Sequence, residues 1–95
     1  MPARLFRIEG RVQGVGYRDW MCREAVRLGL DGWVRNRPDG NVEALVAGPD
    51  EGMQALLQAA RRGPLRARVD RVAEAPAEAP AEAPAEPGFR RLPTG

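Results

Sequence analysis

Between Ala75 and Glu86 the unit Ala-Pro-Ala-Glu recurs three times without interruption. Proline at every fourth position denies a helix its backbone hydrogen bonds and cannot feed a sheet ladder. The stretch therefore reads as an extended, polyproline-like spacer, solvated rather than packed. In a chain of 95 residues this confines the hydrophobic core to the part before it, plus a short segment after it. The expected division is residues 1–73 as the folded core, 74–87 as the spacer and 88–95 as the C-terminal segment. A chain of this size buries only ~60–65% of its unfolded surface, so the core must be economical. Loop-closure entropy grows slowly with length, so the spacer should cost little stability, and removing Ala75 to Glu86 is expected to leave function intact.

Several chemistries are excluded because their residues are missing. The sequence has no His, no Lys and no Ser, one Cys (Cys22) and one Thr (Thr94). A Ser/His triad, a Schiff-base lysine and a P-loop lysine are ruled out. A lone cysteine supplies neither an internal disulfide nor a zinc cage. Cys22 falls on the apolar stripe of a helix and reads as core, not as a nucleophile. Any catalysis must rest on Arg, carboxylates, Asn, Gln, Tyr, backbone N–H groups and water.

Charge is unevenly spread. All 15 cationic side chains are arginine, against 13 acids, for a formal net charge of +2. Four of the acids (Glu74, Glu78, Glu82 and Glu86) lie in the arginine-free spacer stretch, so the remainder is distinctly basic. Such a body suits small anions or nucleic acid, or is simply a solvated basic surface. No apolar run approaches the ~20 residues that span a bilayer, and the N-terminus has no apolar signal region. A cytoplasmic, monomeric protein with no membrane partner is expected.

Hydrophobic periodicity organises the rest. Arg4 to Val12 alternates, with Phe6, Ile8 and Val12 on one parity, and predicts a strand. Gln13-Gly14-Val15-Gly16-Tyr17 must turn tightly. Arg18 to Leu28 shows helical spacing through Met21, Cys22, Ala25 and Leu28, stopped by Gly29, with Trp20 at the flank. Leu30–Asn36 and Asn41–Gly48 alternate again around the turn Arg37-Pro38-Asp39-Gly40, which predicts a hairpin with Val42, Ala44 and Val46 on one side. Asp50 can cap a second helix carrying Met53, Leu56, Leu57 and Ala60, and Gly63-Pro64 stops it. Val69 and Val72 are three apart, as in a strand with a bulge. Phe89 and Leu92 can anchor a short fifth strand. The order β-α-β-β-α-β is the α+β, ferredoxin-like plan: an antiparallel sheet with two helices on one face. That plan alone argues for no function.

Two segments can carry chemistry. In the first, Gly10 to Arg18, glycines let backbone N–H groups approach a ligand. The loop runs into a helix N-terminus, and Arg18 adds a planar fork matched to phosphate oxygens. From the residues alone this is either a small-anion cradle or a strand-to-helix turn that needs glycine for backbone reasons. It lacks the third glycine of the dinucleotide motif, where Asp19 stands, and the Lys-Ser/Thr of the P-loop. In the second, Gly32-Trp33-Val34-Arg35-Asn36, the Asn36 carboxamide can hold a water in one orientation, or simply cap a turn. Arg37 beside it either draws anions in or is an exposed turn arginine.

Gly10-Arg11-Val12-Gln13-Gly14-Val15-Gly16-Tyr17-Arg18 resembles the first signature of the acylphosphatase family, with Tyr17 where phenylalanine is more usual. Gly32-Trp33-Val34-Arg35-Asn36, followed by Gly40, Val42 and Gly48, is similar to the second. The resemblance covers about residues 3–73 and implies a ferredoxin-like fold. It also implies hydrolysis of the carboxyl–phosphate bond of small-molecule acyl phosphates by in-line attack of water. Carried over by residue, the loop amides of Val12, Gln13, Gly14, Val15, Gly16 and Tyr17 bind the phosphate together with Arg18, and Asn36 orients the water. The family uses no metal, no cofactor and no covalent phosphoenzyme. The spacer is longer and more repetitive than the family pattern. An RNA-recognition-motif module shares the element order, but it stacks bases on aromatics of its central strands. The predicted third strand has none and the first has only Phe6, so no nucleic-acid partner is expected.

Overall fold

A computed structural model describes residues 3–77 and 87–95. The elements are β1 (Ala3–Arg11), α1 (Tyr17–Arg27), β2 (Asp31–Asn36), β3 (Val42–Ala47), α2 (Asp50–Arg62), β4 (Arg68–Pro76) and β5 (Phe89–Arg91). They form one sheet in the order β4-β1-β3-β2-β5. Phe6, Ile8, Val34, Val42, Ala44 and Val46 line the face on which Met21, Ala25, Met53, Leu56, Leu57 and Ala60 of the two helices pack. Each fully buried aliphatic or aromatic side chain contributes roughly 1.5–3 kcal/mol through the surface it removes from water. This is the predicted ferredoxin-like α+β fold. No helix among the described residues is long and apolar enough to cross a membrane.

One part of the fold expectation needs correction. The four longer strands pair antiparallel, but β5 runs parallel to β2. β4 takes the edge beside β1, which leaves only the β2 edge for the returning chain. The segment enters there at the level of Gly32, whose N–H donates to the Gly88 carbonyl at 2.9 Å, and leaves with the Leu92 N–H donating to Val34 at 2.8 Å.

Three local readings also shift. β3 is buried on both sides, because it is the middle strand: Leu45 is 0% exposed on the face away from the helices. There it is flanked by its cross-strand partners Leu5 and Trp33, and the Arg35 guanidinium lies 4.8 Å from the Trp33 ring centre. Pro49, not Asp50, occupies the α2 N-cap, and Asp50 stands in the first turn, where a carboxylate complements the helix dipole. β4 continues through Glu74, Ala75 and Pro76, paired with Phe6, Leu5 and Arg4, so the sheet takes the first residues of the stretch read as spacer. Proline is tolerated there because β4 is an edge strand. The repeat units beyond Ala77 lie outside the described residues.

The bulge is where the valine spacing put it. Glu9 pairs with Arg71 and Gly10 with Val69, which leaves Asp70 as the extra residue, and Val69 and Val72 both pack against the core. The bulge brings backbone onto backbone. Gly10 has φ 132°, and a Cβ added to it would lie 2.2 Å from the Arg68 carbonyl oxygen. Gly10→Ala is expected to destabilise the fold by about 2–3 kcal/mol, roughly 10–20 °C in Tm by thermal denaturation. A melting temperature within a few degrees of the parent would refute the close approach.

Strand order also sets a lower limit on the connection from β4 to β5. The two strands occupy opposite edges, four strand spacings of ~4.8 Å apart, or about 19 Å. Removing Ala75 to Glu86 leaves too few residues to cross at ~3.3 Å each, so the expectation that the whole stretch is dispensable is revised. Deleting one unit, Ala79 to Glu82, should leave Tm within a few degrees and turnover within about twofold, whereas deleting all three should detach β5. Equal tolerance of both deletions would contradict this topology.

Candidate active site

The loop between β1 and α1 is pinned at both ends and open between them. Val12 and Tyr17 are each 1% exposed, while Gly14 and Gly16 are exposed. Both glycines sit at positive φ, 73° and 79°, and Gly16 is the left-handed N-cap of α1. This conformation is natural for glycine and turns the chain into the helix without a side chain in the way. The Tyr17 hydroxyl donates to the Ala60 carbonyl at 2.7 Å. Ala60 lies in the last turn of α2, where carbonyls have no partner within the helix, so the bond satisfies an otherwise orphaned acceptor. Burial pushes the Tyr17 hydroxyl pKa well above its ordinary range. The Trp20 ring lies against it, with centroids 5.2 Å apart.

The opposite wall is Asn36, at the end of β2. Its carbonyl accepts from the Gly95 N–H at 3.1 Å. The turn that follows closes on itself, with Arg37 N–H donating to Asn41 and Gly40 N–H to Arg37. Gln13 ties that turn to the glycine loop: its Nε2 donates to the carbonyls of both Arg37 and Asn41, each at 2.8 Å. Arg7 pairs with Asp39 in the same turn.

A cavity of about 130 Å³ opens between the two walls, lined by Val12, Gly14, Gly16, Tyr17, Arg18, Asp19, Asn36 and Arg91. Six of these are sequence-predicted site residues. Gln13 and Val15 are not among the lining residues: Gln13 braces the β2–β3 turn, and Val15 packs against the core. Arg37 does not line the cavity either. Arg18 Nη1 donates to the Leu92 carbonyl at 2.9 Å, which fixes one side of its fork.

Asp19 and Arg91 escaped the sequence reading. Arg91 Nη1 donates to Asp19 Oδ1 at 2.8 Å. That hydrogen bond, aided by the charges of Arg91, Arg23 and Arg18, holds the Asp19 carboxyl below its usual pKa despite some opposing desolvation. The signal for Asp19 was its place after Arg18 in the first turn of α1. Arg91 offered only an arginine doublet between Phe89 and Leu92, because nothing local reveals the strand beside which a distant segment docks. Cys22 is half-buried on α1, and burial raises its thiol pKa, as suits a core residue.

The site thus presents backbone N–H groups at a helix N-terminus, two guanidinium groups, one carboxylate and one carboxamide. Oriented donors of this kind suit a tetrahedral oxyanion, and the carboxamide suits a water beside it. Among the described residues, no group of three or more His, Cys, Asp or Glu side chains could hold a metal ion.

The family model for acylphosphatase matches residues 5–90. An acylphosphatase of Acidiphilium cryptum (strain JF-5) is 54% identical over 95 residues, covering 100% of both chains. One from Nitrobacter hamburgensis is 55% identical over 89 residues, covering 92% of this chain and 90% of that one. The crystal structure of acylphosphatase from Bacillus subtilis superposes with a TM-score of 0.88 at 32% identity, covering 97% of this chain and 99% of the other. The structure of an acylphosphatase from Coxiella burnetii gives 0.86 at 27% identity, covering 96% of this chain and 92% of the other. Matches of this identity and extent, over a fold that agrees, show that the chain belongs to the acylphosphatase family.

Proposed function

We propose that this acylphosphatase holds the phosphate of a small acyl phosphate on the amides of residues 12–17 and the Arg18 guanidinium, and that Asn36 orients the water that attacks phosphorus. The single observation that carries this reading is the shared cavity: Arg18 and Asn36 arrive from different elements and line one space of about 130 Å³. The leaving carboxylate is a good one, so no strong nucleophile is required. In-line attack passes through a loose transition state, and the protein contributes positioning and charge stabilisation. The Leu92 carbonyl on Arg18 and the Gln13 brace on the β2–β3 turn hold both walls before substrate arrives. A substrate phosphate oxygen takes the water proton.

The same reading makes residues 12–18 and 36 the functional core, the Ala-Pro-Ala-Glu units beyond Pro76 a connector that takes no part in the chemistry itself, and the protein a cytoplasmic monomer that needs no metal or cofactor. Elution at a mass near 10.4 kDa and full activity in EDTA are the corresponding expectations.

With benzoyl phosphate at neutral pH, Arg18→Ala should lower kcat/KM by about 10²–10³, the usual cost of losing one preorganised oxyanion donor. Asn36→Ala should lower kcat by a similar factor while KM moves less than about threefold, because the water is positioned only for the chemical step. A KM effect without a kcat effect would remove Asn36 from that role.

The pH dependence follows from the groups at hand. Arg stays charged, burial raises the Tyr17 hydroxyl, and the folded pKa of Asp19 is depressed. A depressed carboxyl keeps its ion pair above its ordinary pKa of ~3.9 and loses it only as pH falls through the lowered value. Between pH 5 and 8, kcat should therefore be flat except for the substrate's own ionisation. An enzyme-group pKa inside that window would point to a side-chain base.

A further inference from the structure

We propose that Arg91, oriented by Asp19 at the rim of the cavity, selects acyl phosphates whose acyl group carries a second negative charge, a carboxylate above all. The proposal rests on the reading that the phosphate occupies the glycine loop. It goes beyond that reading in assigning a residue to the other half of the substrate.

The cavity measures about 130 Å³. On the reading above, the phosphoryl group sits against the loop amides and the Arg18 guanidinium, so the acyl group extends from there along the rest of the lining. Val12 and Tyr17 close the cavity on its core side, and the lining is exposed at Gly14 and Gly16 and at the side chains of Arg91 and Asp19, 49% and 56% exposed. Of these exposed groups only Arg91 and Asp19 carry charge, so an acyl chain leaving toward solvent on their side meets them.

Arg91 is built to receive an anion there. It uses one nitrogen, Nη1, on Asp19 Oδ1. The rest of its planar fork, with further N–H donors, matches a carboxylate in two-point geometry. Arg18 is assigned to the phosphate in the reading above, with its Nη1 held by the Leu92 carbonyl, which leaves Arg91 as the second guanidinium of the lining. An ion pair as exposed as Asp19–Arg91 holds only weakly, so an incoming carboxylate can share or replace the Asp19 contact. Asp19 thereby aims Arg91 in the free enzyme and also competes with the substrate for it. A neutral acyl group gains nothing from this arrangement.

The competition gives the two variants opposite signs. The substrates are benzoyl phosphate, 4-carboxybenzoyl phosphate and its methyl ester; the para carboxylate cannot reach its own anhydride, and the ester controls for size. kcat/KM is measured for each in low salt, because exposed charges are screened at high ionic strength. The ratio of 4-carboxybenzoyl to benzoyl phosphate should fall about threefold to fivefold in Arg91→Gln, the scale of one exposed ion pair. It should rise severalfold in Asp19→Asn. The ester-to-benzoyl ratio should stay constant in both. A carboxylate ratio unchanged in either variant, or an Arg91→Gln loss shared equally by all three substrates, overturns the proposal; the latter would make Arg91 a phosphate ligand or a structural residue. If Arg91→Gln does not fold, Asp19→Asn decides by the direction of its ratio. Failure of the unaltered chain to hydrolyse benzoyl phosphate would instead remove the underlying reading, and the proposal with it.

Discussion

Tyr17 is buried at the first position of α1, and its hydroxyl reaches the Ala60 carbonyl in the last turn of α2. The residue before it is the glycine N-cap, and the residue after it is Arg18. Fixing Tyr17 in the core therefore fixes where the helix begins, which way its first N–H groups point and where the Arg18 side chain starts. An intramolecular hydrogen bond is worth only about 1 kcal/mol net, but a buried carbonyl without a partner costs more. Tyrosine at this position closes the end of α2 while its ring fills the space between the helices and the sheet. The exposed glycines are then suspended between two anchors, Val12 and Tyr17, that cannot move without opening the core.

A loop anchored in this way is only half a site. The other half is delivered by long-range contacts that all converge on it. Gln13 bonds across to the β2–β3 turn, the Leu92 carbonyl meets Arg18, and the terminal Gly95 N–H meets the Asn36 carbonyl. These braces join three segments that are distant in sequence, so donors are in position before a ligand arrives. Preorganisation of this kind is where phosphoryl-transfer catalysis draws its rate, because there is little covalent work for the protein to do. β5 has more than an edge-covering role here: it carries Arg91, and Leu92, the residue just after it, presents the carbonyl that steadies Arg18.

What the chain discloses before folding follows the range of the interaction. Period-two and helical spacing marked every element from β1 to α2, and the three-residue valine spacing marked the bulge, because side-chain alternation is a local consequence of backbone geometry. The glycine loop and Asn36 were legible for the same reason, with the family signatures adding their pairing. The parallel docking of β5, the full burial of Leu45 and the place of Arg91 were not legible. Each depends on which strand lies beside which, and strand order is decided by the whole core. Gln13 shows the boundary within one residue. Its membership of the loop is a local property legible in the sequence, whereas its side chain's grip on the turn after Asn36 is tertiary and has no local signal.

If the amides of residues 12–17 and Arg18 form an anion cradle facing Asn36, titrating the ¹⁵N-labelled protein with inorganic phosphate should move a confined set of amide and side-chain resonances. Saturable shifts are expected at residues 12–18, the Arg18 guanidinium and the Asn36 carboxamide. Shifts spread over the basic surface at Arg61, Arg62, Arg66 and Arg68, with the glycine loop unmoved, would contradict it.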